Sequence, residues 1–416
     1  MARPRSADAA ADAPPAKFAA LDRVAAACRL AFAHFGFRDV RTPLFEERHV
    51  FERTLATYRT DVLVDLATLP RGEVALALRP CVWPGVVRAF VQHGWDKARP
   101  LQKLSYVGAT VEFPPGSPPR QREVAGAIAL GSSSPMLDAE LIALAARCVD
   151  AIGLTGCQIA VNTLGDSVDQ ARYQEALRAH FAPHLSGRCE SCRATMEAHP
   201  SRLLACKAKT CLPSNKSAPD LVASLGEGTR RRLQQMLGFL RAAHVPYDVD
   251  SALLRDEGIA THTVFEVRGG DGTVLCCGTR RDQAVPALDG PKVGMIEFSL
   301  DVDATLAALV QAKHPAATPS EPEVEAFVVP ETEAARQAAF VLTHTLRGAG
   351  IATDTDYEDK PLKTLLKQLD KRSVPFLLVV GDAPDAPIVV RARDGGAEVS
   401  LPVAEVVEGL RQRLGR

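Results

Sequence analysis

Four cysteines in "CESCRATMEAHPSRLLACKAKTC", namely Cys189, Cys192, Cys206 and Cys211, are spaced C-x2-C-x13-C-x4-C. Each close pair can fill two corners of a tetrahedron, as a structural Zn2+ ion with no open position requires. The second pair is the looser of the two, and the same cysteines could instead simply pack inside a helical segment. Cys276 and Cys277 are adjacent in a strand-like run, so their side chains point to opposite faces and are not expected to share a metal or a disulfide. A second constellation is "TVEFPPGSPPRQRE", residues 110–123. Its exit arginines, Arg120 and Arg122, offer planar forks that suit an anion, although a solvated turn is the plainer reading. Glu112 near its start works against an anion. A third is the run Lys360, Lys363, Lys367 and Lys371, with Arg372 beside it. Steps of three and four residues place these lysines on one face of a helix. Such a stripe can meet RNA phosphates without reading bases, though it is more often solvated surface.

The elements that must position these groups are legible in outline. A chain of 416 residues, 46% hydrophobic and 24% charged, can bury two or three cores. A net charge of −1 gives no global footprint for nucleic acid or membrane. No apolar run reaches the roughly 18–20 residues that span a bilayer. The start, "MARPRSADAAADAPPAKF", lacks an apolar export region and reads as a disordered tail over residues 1–16. Scattered cysteines without an export signal then predict a reducing cytoplasm.

Apolar periodicity from Ala19 to Phe35 predicts a helix ended by Gly36, and a stronger amphipathic helix runs from Leu137 to Leu154. "DVRTPLFEE" reads as a strand broken at Pro43, and "VALALRP" as a short buried strand. "PGVVRAFVQHGW" suits a helix with Pro84 in its first turn. "LQKLSYVGATVEF", "CQIAVNTLGD", "HTVFEVRG", "GTVLCCG" and "KVGMIEFSL" read as strands, antiparallel by their spacing where glycine turns join them. Residues 170–250 are largely helical and carry the cysteines. The expected organisation is an α+β domain over residues 17–312 with this helical insertion, then a linker over 313–323. Beyond it, strands and helices alternate over residues 324–416, predicting a small α/β domain with a mostly parallel sheet.

The order of these segments resembles the histidyl-tRNA synthetase family of class II synthetases. "FGFRDVRTPLFEERHVFERT" looks like the family's dimer-forming motif 1, "KLSYVGATVEF" falls where motif 2 begins, and "LDAELIALA" matches the helix after it. "HTVFE" and "GTVLCCGTRRD" resemble the histidine-binding strands, and the last domain, with "DKPLKTLLKQLDK", is similar to the family's anticodon-binding domain. The resemblance implies an antiparallel sheet with flanking helices, a homodimer, and partners that include tRNA.

In that family, arginines stabilise the charge that builds on the α-phosphate of ATP. The resemblance places Glu112 at the motif 2 arginine, and motif 3, "KVGMIEFSLDVDATLAAL", holds Asp301 and Asp303 but no arginine. ATP binding is therefore doubtful by this reading. The family's "LRPEGTA" appears as "LRPCVWP", which puts Cys81 where a substrate-holding glutamate would stand and Trp83 beside it. "FHQ" becomes Val124, Ala125 and Gly126, and "RGLDYY" becomes "RDEGIA", so Ile259 and Ala260 replace tyrosines. A pocket built to hydrogen-bond an imidazole cannot do so through these side chains. Arg255 matches an additional catalytic arginine, although an inherited ion pair with Asp256 or Glu257 is the blander reading.

The leading expectation is a noncatalytic binding or regulatory relative that engages tRNA, another RNA or a protein partner. A histidine–tRNA ligase, or a synthetase of altered substrate, is the alternative from the enzyme class. A third, a relative of the regulatory subunit of ATP phosphoribosyltransferase, is weakened by the presence of an anticodon-binding-like domain.

Overall fold

The computed structural model describes residues 12–55, 64–66, 75–112, 118, 120–254, 260–317, 324–358, 364–365, 369, 374–383, 386–393 and 397–416. They divide into two compact units, residues 1–319 and 320–416. Most of the tail expected at 1–16 lies outside the described residues, although Pro15 and Ala16 already belong to the first helix.

That helix, α1 (Pro15–His34), starts on a proline in its first turn and stops before Gly36, whose φ of 76° the missing Cβ permits. The chain continues through β1 (Arg38–Asp39), β2 (Phe45–Glu47), α2 (Arg48–Thr54), β3 (Val64–Leu66) and β4 (Leu76–Leu78). Strands β2, β4 and β3 form a small antiparallel sheet. Helices α3 (Trp83–Gln92) and α4 (Trp95–Ala98) follow.

The central device is the hairpin of β5 (Gln102–Glu112) and β6 (Arg120–Leu130), in register from Gln102 opposite Leu130 to Glu112 opposite Arg120. After it come α5 (Pro135–Ile152), capped by the Ser134 side chain, and β7 (Gln158–Thr163). The insertion consists of α6 (Ser167–Phe181), α7 (Glu190–Thr195), α8 (Leu212–Lys216), α9 (Leu221–Ser224) and α10 (Glu227–Ala242). A capping box between Asp166 and Asp169 fixes where α6 begins. The unit closes with β8 (Asp248–Val249), β9 (Thr263–Arg268), β10 (Val274–Arg280), β11 (Met295–Asp301) and α11 (Val302–Gln311).

Eight of these strands make one sheet in the order β1-β5-β6-β11-β10-β9-β7-β8. The six inner strands pair antiparallel, as their glycine-bearing turns predict, while β1 and β8 add parallel edges. Side chains alternate across this sheet and so face two cores. On one side, Ala125, Ala127 and Ala129 of β6 and Ile296, Phe298 and Leu300 of β11 pack in a core with residues of α1, α5 and α11. On the other, Leu104, Tyr106, Val124, Ile128 and Met295 share a core with Trp83, Val86 and Phe90 of α3.

The second unit contains β12 (Ala326–Pro330), α12 (Arg336–Gly348), β13 (Thr353–Thr355), β14 (Phe376–Val380), β15 (Ile388–Ala392), β16 (Val399–Leu401) and α13 (Val406–Arg413). Its sheet order is β13-β12-β14-β15-β16. The expectation of a mostly parallel sheet is corrected here. Only the pairs with β12 are parallel; β14–β15 and β15–β16 are antiparallel. The connections at 381–387 and 393–398 are too short for the crossover of a dozen or more residues that a parallel pair needs.

Candidate functional site

On β5, Tyr106, Gly108, Thr110 and Glu112 share the face that looks toward α3. Across the register, Arg122, Val124 and Gly126 of β6 and Asp301, Ser299 and Glu297 of β11 share it too. Glu112 sits diagonally from Arg122, and Asp301 lies on the opposite flank of the same residue. Their carboxylates hold the two ends of its guanidinium, Glu112 Oε2 at 2.9 Å from Nη2 and Asp301 Oδ2 at 3.1 Å from Nη1. Burial pulls the pKa of Arg122 down, but Glu112 and Asp301 outweigh it and leave the pKa above its ordinary value. Arg122, read from the sequence as a possible anion contact and more plainly as a solvated turn charge, is engaged by two carboxylates of its own chain. Arg120 opens β6, exposed and opposite Glu112. Asp301 also accepts the Ala304 N–H at 2.9 Å through Oδ1 and so caps α11. Asp303 turns the other way and accepts the Glu123 N–H at 2.9 Å.

Deeper along the same face, Gly126 leaves the space that the Tyr106 ring occupies; a Cβ there would stand 2.4 Å from the tyrosine oxygen. Trp83 is buried, and the Arg281 guanidinium lies 4.7 Å from its ring centroid. Arg281 in turn donates from Nε to Glu297 at 3.1 Å, with both side chains nearly inaccessible. Cys81 is half-buried against this cluster. At the rim, Arg79 is buried beside Gly108 and donates to the carbonyl oxygens of Ala109 and Thr42. Burial lowers its pKa from the usual guanidinium value.

Two of the positions read from the sequence lie elsewhere. Ala125 points to the opposite face, into the core under α1 and α5, because it neighbours Gly126 in a strand. Ala260 is buried in the core of the insertion, and its carbonyl accepts from Gln170 Nε2 at 2.7 Å. Arg255, Ile259, Lys360, Lys363, Lys367 and Lys371 lie outside the described residues.

Sequence reasoning passed over the "TRRD" pair. Adjacent residues in a strand diverge, so Arg281 reaches the face just described while Arg280 enters the helix layer. There Asp138 of α5, fully buried, accepts from Arg280 Nη2 at 2.6 Å, Arg232 Nη2 at 2.6 Å and Thr263 Oγ1 at 2.6 Å. This network ties α5, α10, β9 and β10 together. The signal was two consecutive arginines at the end of an apolar strand, each of which needs its own acid.

In the insertion, the ligand atoms of Cys189, Cys192, Cys206 and Cys211 all lie within 4.8 Å of one another, an arrangement able to hold a metal ion. Cys189 and Cys206 sulfurs are 3.7 Å apart and those of Cys192 and Cys211 3.9 Å. The backbone N–H of Cys189 donates to Cys211 Sγ and, with neighbouring thiols and Thr210, brings the Cys211 pKa down to about 6 against the effect of burial. Burial instead pushes Cys192 up to about 12.

In the second unit, residues of β12, α12 and β13 and the segment after β13 border an open groove of about 370 Å3 lined by Arg336, Gln337, Phe340, Thr355, Asp356 and Tyr357. Phe340 and Tyr357 are 62% and 63% exposed, unusually open for aromatic side chains. Among the described residues no helix is long and apolar enough to cross a membrane.

Comparison with known proteins bears on both units. The model of the family described as histidyl-tRNA synthetase matches residues 9–304, and that described as anticodon binding domain matches residues 325–413. A histidine–tRNA ligase of Lysinibacillus sphaericus (strain C3-41) is 32% identical over 391 residues, covering 91% of this chain and 92% of that protein. Another, of Geobacillus kaustophilus (strain HTA426), is 31% identical over 396 residues, covering 92% of each. The apo histidyl-tRNA synthetase of S. aureus superposes with a TM-score of 0.81 at 26% identity, over 99% of this chain and 100% of that one. A Bacillus halodurans structure described as an ATP phosphoribosyltransferase regulatory subunit/histidyl-tRNA synthetase shares the fold, with a TM-score of 0.67 at 17% identity over 92% of this chain and 100% of that one. The chain belongs to the histidyl-tRNA synthetase family, with the class II synthetase fold followed by an anticodon-binding domain.

Proposed function

We propose that this family member is a homodimer that does not form an aminoacyl adenylate and that acts by binding, engaging tRNA or another RNA through its anticodon-binding domain. The observation that carries the reading is the Glu112–Arg122–Asp301 triad. A class II site must present cations to the phosphates of ATP before reaction, in a setting where water cannot screen them. By the family resemblance, Glu112 and Asp301 stand at or near positions that would supply such cations. Both are acids here, and they already occupy the fork of the arginine between them. An approaching phosphate would meet two carboxylates and one neutralised guanidinium, and like charges brought together in such a site cost on the order of several kcal/mol. On this reading, the described residues around Arg122 do not fit ATP.

The amino-acid side supports the same reading. Tyr106, Trp83 and the Arg281–Glu297 pair fill the face of the sheet around Cys81 and Gly126. For RNA, the support is the family match of the second unit together with the groove between Phe340 and Tyr357. Exposed aromatic faces stack unpaired bases at roughly 1–3 kcal/mol each. The cytoplasm, where tRNA is found, is the compartment this reading requires.

A catalytic reading, as a histidine–tRNA ligase, draws on the relatives that carry that name at 30–32% identity. Histidine-dependent exchange of pyrophosphate into ATP separates the two. The full-length chain is expected to show none above background, and robust exchange would overturn the noncatalytic reading. Gel-shift titration against tRNA at two salt concentrations tests the RNA arm. Salt-sensitive binding weakened about tenfold or more by the Phe340→Ala, Tyr357→Ala double variant is expected. Absence of binding at both salts would remove RNA as the partner.

A further inference from the structure

We propose that Cys189, Cys192, Cys206 and Cys211 hold one Zn2+ ion as a closed structural site, with Arg188 as a buried cation that offsets part of its negative charge. The inference stands whether or not the sheet face is catalytic, because it rests on a different part of the molecule.

The four cysteines come from segments that regular structure does little to fix. Cys189 precedes α7 and Cys192 lies within it, Cys206 ends a 3-10 turn over Pro200–Ala205, and Cys211 precedes α8. Helices α7 and α8 have six and five residues, too short to persist alone. Yet these pieces bring four sulfurs within 4.8 Å of one another. With Zn–S bonds of about 2.3 Å, a regular tetrahedron has sulfur–sulfur edges of about 3.8 Å. The pairs at 3.7 and 3.9 Å match that edge, and they lie far beyond the ~2.05 Å of a disulfide. Four thiolates and a divalent ion carry a net charge of −2, with every coordination position filled by protein.

Arg188 supplies the independent observation. Its side chain is only 2% exposed and stacks on Phe181, with the guanidinium carbon 4.5 Å from the ring centroid. It donates to Ser214 Oγ, to Leu203 O at 3.1 Å, to Asn215 Oδ1 at 2.7 Å and to Cys192 Sγ at 3.7 Å. None of these partners is a carboxylate, and Nε is buried with no partner. A guanidinium withdrawn from water without a counter-charge costs several kcal/mol. Thiolates are the one anion that its contacts can supply. Protonated cysteines would leave the arginine uncompensated, whereas a tetrathiolate metal centre compensates it. The Cys189 N–H that donates to Cys211 Sγ at 3.4 Å also favours the thiolate form.

The test is metal analysis of the full-length chain purified without chelators. About one zinc per chain is expected, with iron absent. A folded protein carrying less than about 0.2 zinc per chain, or iron in its place, would overturn the assignment. Cobalt exchanged into the protein should give the intense visible bands and sulfur-to-metal charge transfer of tetrahedral tetrathiolate coordination; six-coordinate spectra would also reject it. Cys206→Ser should abolish stoichiometric binding while Cys277→Ser, outside the cluster, leaves it unchanged. Should Cys206→Ser fail to fold, release of one zinc on mercurial titration of the unmodified protein gives the same answer. Arg188→Gln should weaken zinc about 10–100-fold against a competing chelator, in keeping with a group that supports ligands from behind. An unchanged zinc affinity would remove Arg188 from the site.

Discussion

Asp301 presents its two oxygens to different partners, Oδ1 to the first turn of α11 and Oδ2 to Arg122. The two contributions can be separated by substitution. Asp301→Asn keeps a good cap and loses only the ion pair, which Arg122, 36% exposed at its side chain, shares with water. Its cost should therefore stay below about 1 kcal/mol. Asp301→Ala loses the cap as well and should cost about 1 kcal/mol more. Urea denaturation of both variants checks this; equal losses would show that the cap carries nothing. Gly126→Ala drives a Cβ into the Tyr106 ring, and overpacking of this kind should cost about 1–3 kcal/mol. His262 offers a pH test. Burial, then the charge of Arg232, holds its pKa below the usual value, and Arg280 adds to this against the opposing pull of Asp282 and Asp138. A base depressed in the fold stays neutral there but takes up a proton when unfolded, so its share of stability is present above about pH 6.5 and is lost as pH falls below it. His262 has a φ of 51°, which asparagine tolerates, so His262→Asn should flatten the decline in unfolding free energy between pH 7 and 5.5. At this scale the sequence was informative where types were unusual, as at Glu112 and the cysteines. It was silent where pairing decides the role, as at Arg281 with Glu297 and Trp83.

Elements were more legible than their partners. Apolar periodicity and the glycines Gly36 and Gly153 marked α1 and α5 within a few residues, while the starts at Pro15 and after Ser134 lie just upstream of the expected ones. The helical insertion was legible as helical, but its short helices take their places from contacts no window of sequence contains. Asp169 illustrates this. It caps α6 locally, yet it also accepts from Thr229 Oγ1 at 2.5 Å and Gly226 N at 2.7 Å, sixty and fifty-seven positions along the chain. Thr229→Ala removes the shorter of the two hydrogen bonds to one oxygen of a buried carboxylate and leaves it only the Asp166 N–H at 3.4 Å, and a loss of about 1–2 kcal/mol is expected in thermal or urea unfolding. Misreading the second sheet as mostly parallel had a local remedy, because loop length alone excludes a crossover between β14 and β15.

For the whole molecule, the family and fold class followed from ordered motifs, because six antiparallel strands and their glycine turns recur in register. Function followed less directly. An acid at position 112 is visible in sequence, but only the structure shows what it faces. The basic stripe of Lys360, Lys363, Lys367 and Lys371 lies outside the described residues and keeps its standing as an RNA candidate through spacing and the family match. If all four meet phosphates, changing them to glutamine should reduce the slope of log affinity against log salt by up to about 3 units with tRNA. An unchanged slope would assign the stripe to plain surface.

The double use of Asp301 has a bearing on reversibility. Under the proposed reading, a cation placed at position 301 would strip α11 of its cap and repel the end of Arg122 that Asp301 now holds. A cation at position 112 would repel the same arginine from the other side. Each single step toward a nucleotide site therefore lowers stability before any phosphate is gained, so the present arrangement is a local optimum that stepwise substitution does not easily leave.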